Sequence, residues 1–326
     1  MLKPLQIGSW RLPNNLALAP MAGVTDRVFR TLCREQGAGY AVAEMTHSKP
    51  DLRNHRKSLT RRADSAEPAP HAVQLLGHDP QLLADAARWH VDQGADIIDL
   101  NLGCPAKKVC NVAAGSALMS DPARVAAIFE AVVAAVPVPV TVKMRTGTDE
   151  GHRNAPELAW IAQESGLALV TIHGRTRSQR FQGEAEYDTL AEIAQRLTIP
   201  VLANGDIDSG DKARHVLKYT GAAGVMVGRA SFGNPWIFGE IRAALTEEEW
   251  IPPSLEERVA TLHRHVRELH AYYGETTGVR LARKHAGWYA RHLPNGETFR
   301  NTFVRLSHAQ AQLDWIEQTY SHAFAL

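Results

Sequence analysis

The 326-residue sequence predicts a (β/α)8 barrel followed by an all-helical domain, and three observations carry that prediction. Short apolar runs alternate with amphipathic segments from Leu16 to about Ala244, the pattern of repeated βα units and a parallel sheet. There are eight such runs, as many as a closed barrel needs, in a stretch close to the roughly 250 residues of an average barrel. A doubly wound sheet more often shows five or six units with a GxGxxG near the first, and that fingerprint is absent.

In chain order the runs are Leu16 to Pro20, Tyr40 to Glu44, Ala72 to Leu76, Ile97 to Leu102, Val138 to Met144, Leu169 to His173, Pro200 to Asn204 and Gly224 to Gly228. VPVTVKM and GVMVG are apolar at nearly every position, as strands covered on both faces must be, while the segments between carry one apolar stripe. After Leu245 the pattern changes. TEEEW and the Pro252-Pro253 break lead to Ser254 with Glu256-Glu257, a helix-start signal, and then to helical periodicity without strand-like runs. The expected organisation is a barrel domain over 1–245 and a helical domain over 254–326.

Composition narrows the function classes. Hydrophobic residues at 44% and charged residues at 22% are ordinary globular values, which excludes a disordered or fibrous chain. Lys and Arg number 36 against 35 acids, so a nucleic-acid partner must be sought in local clusters. Cys33, Cys104 and Cys110 form no disulfide framework and no CxxC pair, which points to a reducing cytoplasm and to no metal site. MLKPLQIGSW lacks a signal-peptide core, and the apolar stretch Val125 to Val142 is broken by Glu130, Pro137 and Pro139, so no membrane segment is expected.

Barrel enzymes place their chemistry in the loops after the strand C-termini. Here those ends are Pro20-Met21-Ala22-Gly23, Gln74, Asn101-Leu102-Gly103-Cys104-Pro105, Lys143-Met144-Arg145, His173-Gly174-Arg175, Asn204-Gly205-Asp206 and Gly228-Arg229. A lone residue of these types often caps a strand or turns a loop; a ring of them at successive strand ends argues for a site. Gly205-Asp206 and Gly228-Arg229 occupy the usual barrel phosphate position, where glycines expose backbone N–H groups and Arg supplies charge, so a phosphorylated ligand is expected. Lys143 ends a buried strand and needs an anionic or electron-rich partner; the structural alternative is a salt bridge to Asp206 or Glu44. Cys104, between Gly103 and Pro105, is a nucleophile, a general acid or an inert small side chain, and spacing does not choose among them.

The runs LAPMAGVTDRVFR, DLNLGCPAKKV with AGSALM, TVKMRTG with HRN, TIHGRT, VLANGDI and VGRASFGNPWIF resemble those of the tRNA-dihydrouridine synthases. VRELHAYYG and ARKHAGWY extend the likeness to the bacterial B type, over nearly the whole chain. The resemblance implies an FMN-binding barrel with Pro20, Met21, Ala22 and Gln74 beside the flavin. It implies Lys143 at the pyrimidine edge, His173 near the cofactor, and Asn204, Gly205, Asp206, Gly228 and Arg229 around the ribityl phosphate. It also makes Cys104 the proton donor in a reaction where NADPH reduces FMN and reduced flavin delivers hydride to uridine C6. Cys104 then protonates C5 on the opposite face, and the B type suggests about position 17 of the tRNA D-loop.

A base inside folded tRNA has to be turned out of its stack, and the RNA backbone needs an electropositive surface. From Arg258 to Arg305 nine Lys/Arg face three acids, with Tyr272, Tyr273, Trp288 and Tyr289 interleaved; the plain alternative is a solvated helical face with its aromatics in the core. Lys49 to Arg62 carries six Lys/Arg and one acid. The individual candidates for tRNA contact are Asn101, Lys107, Lys108, Arg145, Arg175, Arg280, Arg283 and Lys284. The chain departs from the family pattern after GCPAKKV, where relatives carry another basic residue before AG and this sequence reads Cys110-Asn111-Val112-Ala113. No obligate protein partner is evident.

Three rival readings stand beside this one: an FMN barrel for a free pyrimidine, for which a basic, aromatic helical domain has no use, a tRNA-binding protein without catalysis, and an aldolase using Lys143 as a Schiff base. Colour separates the flavin readings from a pure binding module. The purified protein is expected to be yellow with a flavin absorption spectrum; a colourless preparation that takes up no added FMN removes the assignment.

Overall fold

The computed structural model describes the chain apart from residues 54, 111–112 and 325–326, and apart from the side chains of residues 56, 57, 107, 108 and 324. It opens with an antiparallel hairpin, β1 (Leu5–Ile7) and β2 (Trp10–Leu12). The parallel strands follow as β3 (Leu16–Leu18), β4 (Tyr40–Ala41), β5 (Thr46–His47), β6 (Ala72–Leu76), β7 (Ile97–Leu102), β8 (Val140–Arg145), β9 (Leu169–His173), β10 (Val201–Asn204) and β11 (Gly224–Val227). Their hydrogen-bonded order is β4-β3-β11-β10-β9-β8-β7-β6-β5. The two ends of this order, β4 and β5, belong to one chain segment. Between them Val42 bridges Ala72, and Ala43 N–H donates to the Ala72 carbonyl at 2.9 Å, so the split second strand closes the sheet into the expected barrel.

Helices α1 (Arg27–Glu35), α2 (Arg56–Leu59), α3 (Pro80–Asp92), α4 (Lys107–Cys110), α5 (Pro122–Ala135), α6 (Ala155–Glu164), α7 (Asp188–Arg196), α8 (Gly210–Thr220) and α9 (Ile237–Thr246) lie in the crossovers and after β11. Side-chain caps start several of them: Asp26, Asp79, Asp121 and Ser209 accept from the third backbone N–H of α1, α3, α5 and α8. Alternation along the strands sends odd and even residues to different cores. Val73, Leu75, Ile98, Leu100, Val142 and Val170 pack outward into the core shared with the helices. Ala72, Ile97, Leu169, Leu202 and Met226 fill the lower interior, and Leu5, Ile7 and Leu12 of the hairpin close it from below. Sequence periodicity did not announce this plug, because its strands are three residues each; the Gly8-Ser9 turn, with Gly8 at φ 56°, was the available signal.

The C-terminal helices are α10 (Leu255–Tyr273), α11 (Glu275–Tyr289), α12 (Gly296–Phe303) and α13 (Ala309–Thr319). The expected start of α10 is a capping box, with Ser254 and Glu257 exchanging hydrogen bonds at 3.2 and 2.7 Å. Val259, Leu262, Val266, Ala286 and Phe299 form a second core that takes in Val28 and Leu32 from the outer face of α1. Arg264 grips Glu35 with two nitrogens at 2.7 and 2.9 Å, fixing the same junction. All four interleaved aromatics are packed: Tyr289 is buried in this core, Tyr272 and Tyr273 pack against it with Tyr272 beneath Arg27 at 4.5 Å, and Trp288 stacks on Phe232 at 4.2 Å against the barrel core. Among the described residues no helix is long and apolar enough to cross a membrane.

Ile7 is fully buried at the end of the barrel away from the polar strand ends. Ile7→Ala is expected to cost about 2–5 kcal/mol of stability, read as a lower denaturation midpoint, while ligand binding at the mouth stays unchanged.

Candidate active site

The interior turns polar in its upper layer, where Gln74, Asn101, Lys143, His173 and Asn204 border a cavity of about 900 Å³; His173 and Asn204 end their strands, while β6, β7 and β8 run past the other three. Pro20, Met21 and Ala22 line it from the loop after β3, and Cys104 and Arg145 from those after β7 and at the end of β8. Gly205, Asp206, Gly228 and Arg229 line it from the turns that follow β10 and β11. Every residue expected around the flavin therefore borders one cavity, together with Cys104, Asn101 and Arg145.

The cationic end is organised by Asp206. One of its oxygens accepts from Arg175 and from Ala185 N–H, and the other accepts from Arg229 at 3.0 Å. Burial works to raise the pKa of this carboxyl, but the hydrogen bonds from Arg175 and Ala185 prevail and hold it below its ordinary value. Arg229 keeps about half its side chain exposed, 53%. At Gly228 a Cβ would stand 3.7 Å from Met21 Sδ, so the missing side chain leaves a cradle beside the guanidinium. That is the form of an anion site.

Lys143 makes no ion pair among the described residues. The alternative partners are engaged elsewhere: Asp206 with the two arginines, and Glu44 with Arg61 at 2.9 Å and Gly23 N–H at 2.6 Å. Burial, reinforced by Arg145, lowers the Lys143 pKa to about 8, and Asp99 opposes the shift. Burial, with Lys143 and Arg145 next, holds His173 far below its ordinary value and hence neutral. A half-buried cation facing the cavity without an acid partner, with a neutral ring beside it, suits an electron-rich, partly anionic ligand edge. The anion cradle and this ammonium together fit a phosphorylated flavin.

Cys104 is held by its backbone. Its N–H donates to Asn101 Oδ1 at 3.0 Å, and its carbonyl accepts from Ser116 Oγ at 2.9 Å. Gly115, at φ 61°, permits this closeness, since a Cβ there would approach the Cys104 carbonyl to 2.8 Å. Burial raises the thiol pKa above its ordinary 9.0, so the group is protonated at neutral pH.

The RNA candidates divide. Arg145 is buried, donating to the carbonyls of Gly103, Thr176 and Arg180 at 2.7–2.9 Å; it borders the cavity and is absent from the outer surface. Arg175 is buried too, braced by Asp206 and by the Gly183 and Gln182 carbonyls, and lies behind the cavity wall. Both lie inside the molecule, Arg145 on the cavity wall and Arg175 behind it. Lys284 bonds the Gly23 carbonyl and packs over Trp288, and Arg283 donates to Leu306 O at 2.8 Å. Arg280 is exposed, as are Arg267, Arg291, Arg300 and Arg305. The side chains of Lys107 and Lys108 lie outside the described residues, as do Asn111 and Val112. In the loop after the second strand, Arg61 holds Glu44, and Arg53 and Arg62 lie over Trp89 at 5.7 and 4.4 Å.

Phe181 was missed. It borders the cavity at 56% exposure, with Arg145 at 5.4 Å and Arg229 at 5.6 Å from its ring. The signal was an aromatic in the otherwise polar loop RSQRFQG.

A neutral thiol facing the same cavity as an unpaired half-buried ammonium is the equipment of a cofactor-dependent oxidoreductase on a barrel scaffold. Comparison with known proteins makes the class specific. The chain belongs to the dihydrouridine synthase family, flavin-dependent oxidoreductases whose family model, Dihydrouridine synthase (Dus), matches residues 17–325. It is 54% identical to tRNA-dihydrouridine synthase B of Xanthomonas axonopodis pv. citri (strain 306), over 95% of this chain and 93% of that one. It is 50% identical to tRNA-dihydrouridine synthase B of Escherichia coli (strain K12), over 98% and 99% of the two chains. Among solved structures, the crystal structure of TcOYE with pHBA matches with a TM-score of 0.53 and 13% identity, covering 79% of this chain and 95% of that one. At that identity the likeness speaks for the barrel alone.

The raised thiol pKa has a direct readout. Alkylation of Cys104 by iodoacetamide at pH 8, followed by peptide mapping, is expected to be several-fold slower than that of free cysteine and to rise with pH beyond 9. A rate that levels off below pH 8 would show a thiolate instead.

Proposed function

We propose that the protein is a tRNA-dihydrouridine synthase of the B type, which reduces a D-loop uridine at about position 17 using FMN and NADPH. The observation that carries this reading is Cys104: a thiol kept protonated by burial, fixed by Asn101 and Ser116, on the cavity that Lys143 enters.

Arg229, with the glycines at 205 and 228, would hold the cofactor's phosphate, and Asp206 orients Arg229 for it. Lys143 would meet the pyrimidine edge and favour negative charge there. Pro20, Met21, Ala22, Gln74, His173 and Asn204 complete the walls. When bound, FMN supplies the hydride for uracil C6. Cys104 gives its proton to C5, a step for which a neutral thiol is the right protonation state. Asn101 and Arg145, both on the cavity wall, are placed to meet the base, and Phe181 offers it a flat apolar face.

The division of labour follows the chain. Residues 1–245 would carry the chemistry and 254–326 would hold the tRNA. The exposed arginines at 267, 280, 291, 300 and 305 support that role for the helices.

Cys104→Ala is expected to bind FMN and accept electrons from NADPH at the normal rate, while dihydrouridine formation falls by about 10²–10⁴-fold; retained activity in nucleoside analysis of the tRNA would remove Cys104 from the mechanism. Lys143 is charged below its pKa of about 8 and loses that charge above it. Flavin reduction is therefore expected to slow as pH rises past about 8, later still if an anionic ligand raises the lysine's pKa, and Lys143→Met should be slow throughout and lack this alkaline limb. Arg229→Ala should weaken FMN binding by about 1.5–3 kcal/mol, measured by fluorescence titration.

A further inference from the structure

The barrel interior contains a carboxylate that the proposed chemistry does not use. Asp99 on β7 is buried, and the strand register sets it beside Gln74 on β6 and Thr141 on β8. Asn101 and Lys143, two residues further along their strands, stand one layer nearer the mouth. Thr141 Oγ1 donates to one oxygen of Asp99 at 2.6 Å, and Gln74 Nε2 donates to the other at 2.7 Å. Gln74 Oε1 accepts from Asn101 Nδ2 at 2.8 Å. Asn101 Oδ1 in turn accepts from Gly103 N–H at 3.2 Å and from Cys104 N–H at 3.0 Å.

This string has a direction. An ionised carboxylate only accepts, so Gln74 turns its NH2 down toward Asp99 and its carbonyl up. That carbonyl draws the NH2 of Asn101, which leaves the Asn101 oxygen uppermost, where two backbone N–H groups require an acceptor. Reversing Gln74 would set its oxygen against the Asp99 oxygens. We propose that Asp99 is a positioning residue, which fixes the direction of the hydrogen bonds through Gln74 and Asn101 and so holds the Cys104 loop for proton delivery. The proposal deepens the reading of Cys104 as proton donor and rests on it.

A purely electrostatic role, as counter-charge to Lys143, predicts a different pattern, and two variants separate them. Asp99→Asn keeps an oxygen for Gln74 and presents an NH2 that the Thr141 hydroxyl can accept, so direction survives without charge. Asp99→Leu removes the acceptor. In purified holoenzyme, Cys104 alkylation by iodoacetamide is followed by peptide mapping, which separates it from Cys110, and reoxidation of NADPH-reduced enzyme by tRNA is followed by absorbance. Asp99→Leu is expected to speed Cys104 alkylation about 5-fold or more and to slow reoxidation about 10-fold or more, with tRNA affinity little changed. Asp99→Asn should stay within about 3-fold of the parent in both.

An Asp99→Leu enzyme that matches the parent in both measurements overturns the proposal. So does an Asp99→Asn enzyme as impaired as Asp99→Leu, because charge and not direction would then be what matters. Should Asp99→Leu fail to fold, the near-isosteric Thr141→Val withdraws one of the two donors to Asp99; alkylation about 2–5-fold faster is expected, and an unchanged rate overturns the proposal. Alkylation needs neither flavin nor RNA, so a parent enzyme that fails to reoxidise with tRNA sinks the enzymatic reading while the alkylation arm still judges the relay.

Discussion

A positive charge half-buried among parallel strands with no acid paired to it is the constraint on which the rest of the structure depends. An ammonium in the position of Lys143 costs several kcal/mol unless something offsets it, and the surroundings are arranged so that the offset comes from outside the polypeptide. The two carboxylates that the sequence offered as partners are committed elsewhere: Asp206 to Arg175 and Arg229, Glu44 to Arg61 and a backbone N–H. Asp99 tempers the charge from the layer below without pairing with it. His173 stays neutral chiefly because it is buried, with Lys143 and Arg145 adding to the shift. Below the Asp99 layer the interior is apolar, stoppered by Leu5, Ile7 and Leu12.

The fold was legible because strand and helix periods differ and because buried strands are apolar throughout. The run VPVTVKM marked β8 to within two residues, and Ser254 with its acidic successors marked the start of α10. The second strand was harder. Its middle is held by a single bridge at Val42, and no pattern within the chain reveals a strand that pauses and resumes at Thr46. In the site, strand-end glycines and charges were readable one by one, since each ends an apolar run.

What sequence did not disclose is where long side chains turn. Arg145, Arg175, Arg283 and Lys284 read as candidates for RNA contact, yet each delivers donors to backbone oxygens or to a carboxylate that the tertiary fold brings close. Lys284 shows how far such a contact reaches. It holds the carbonyl of Gly23 from the helical side while Glu44 holds the N–H of the same residue from the barrel side. Met21 and Ala22, which border the cavity, belong to this turn, so α11 is mechanically continuous with one wall of the site. Asp99 escaped notice for the opposite reason: it lies in the middle of an apolar run, where a carboxylate looks like an interruption of the strand.

The stopper formed by the N-terminal hairpin has a directional corollary. With Leu5, Ile7 and Leu12 filling the floor, the cavity faces outward on the side of the strand C-termini, and the loops carrying Met21, Cys104 and Phe181 border that face. A change in any of these loops therefore alters the rim and the chamber at once.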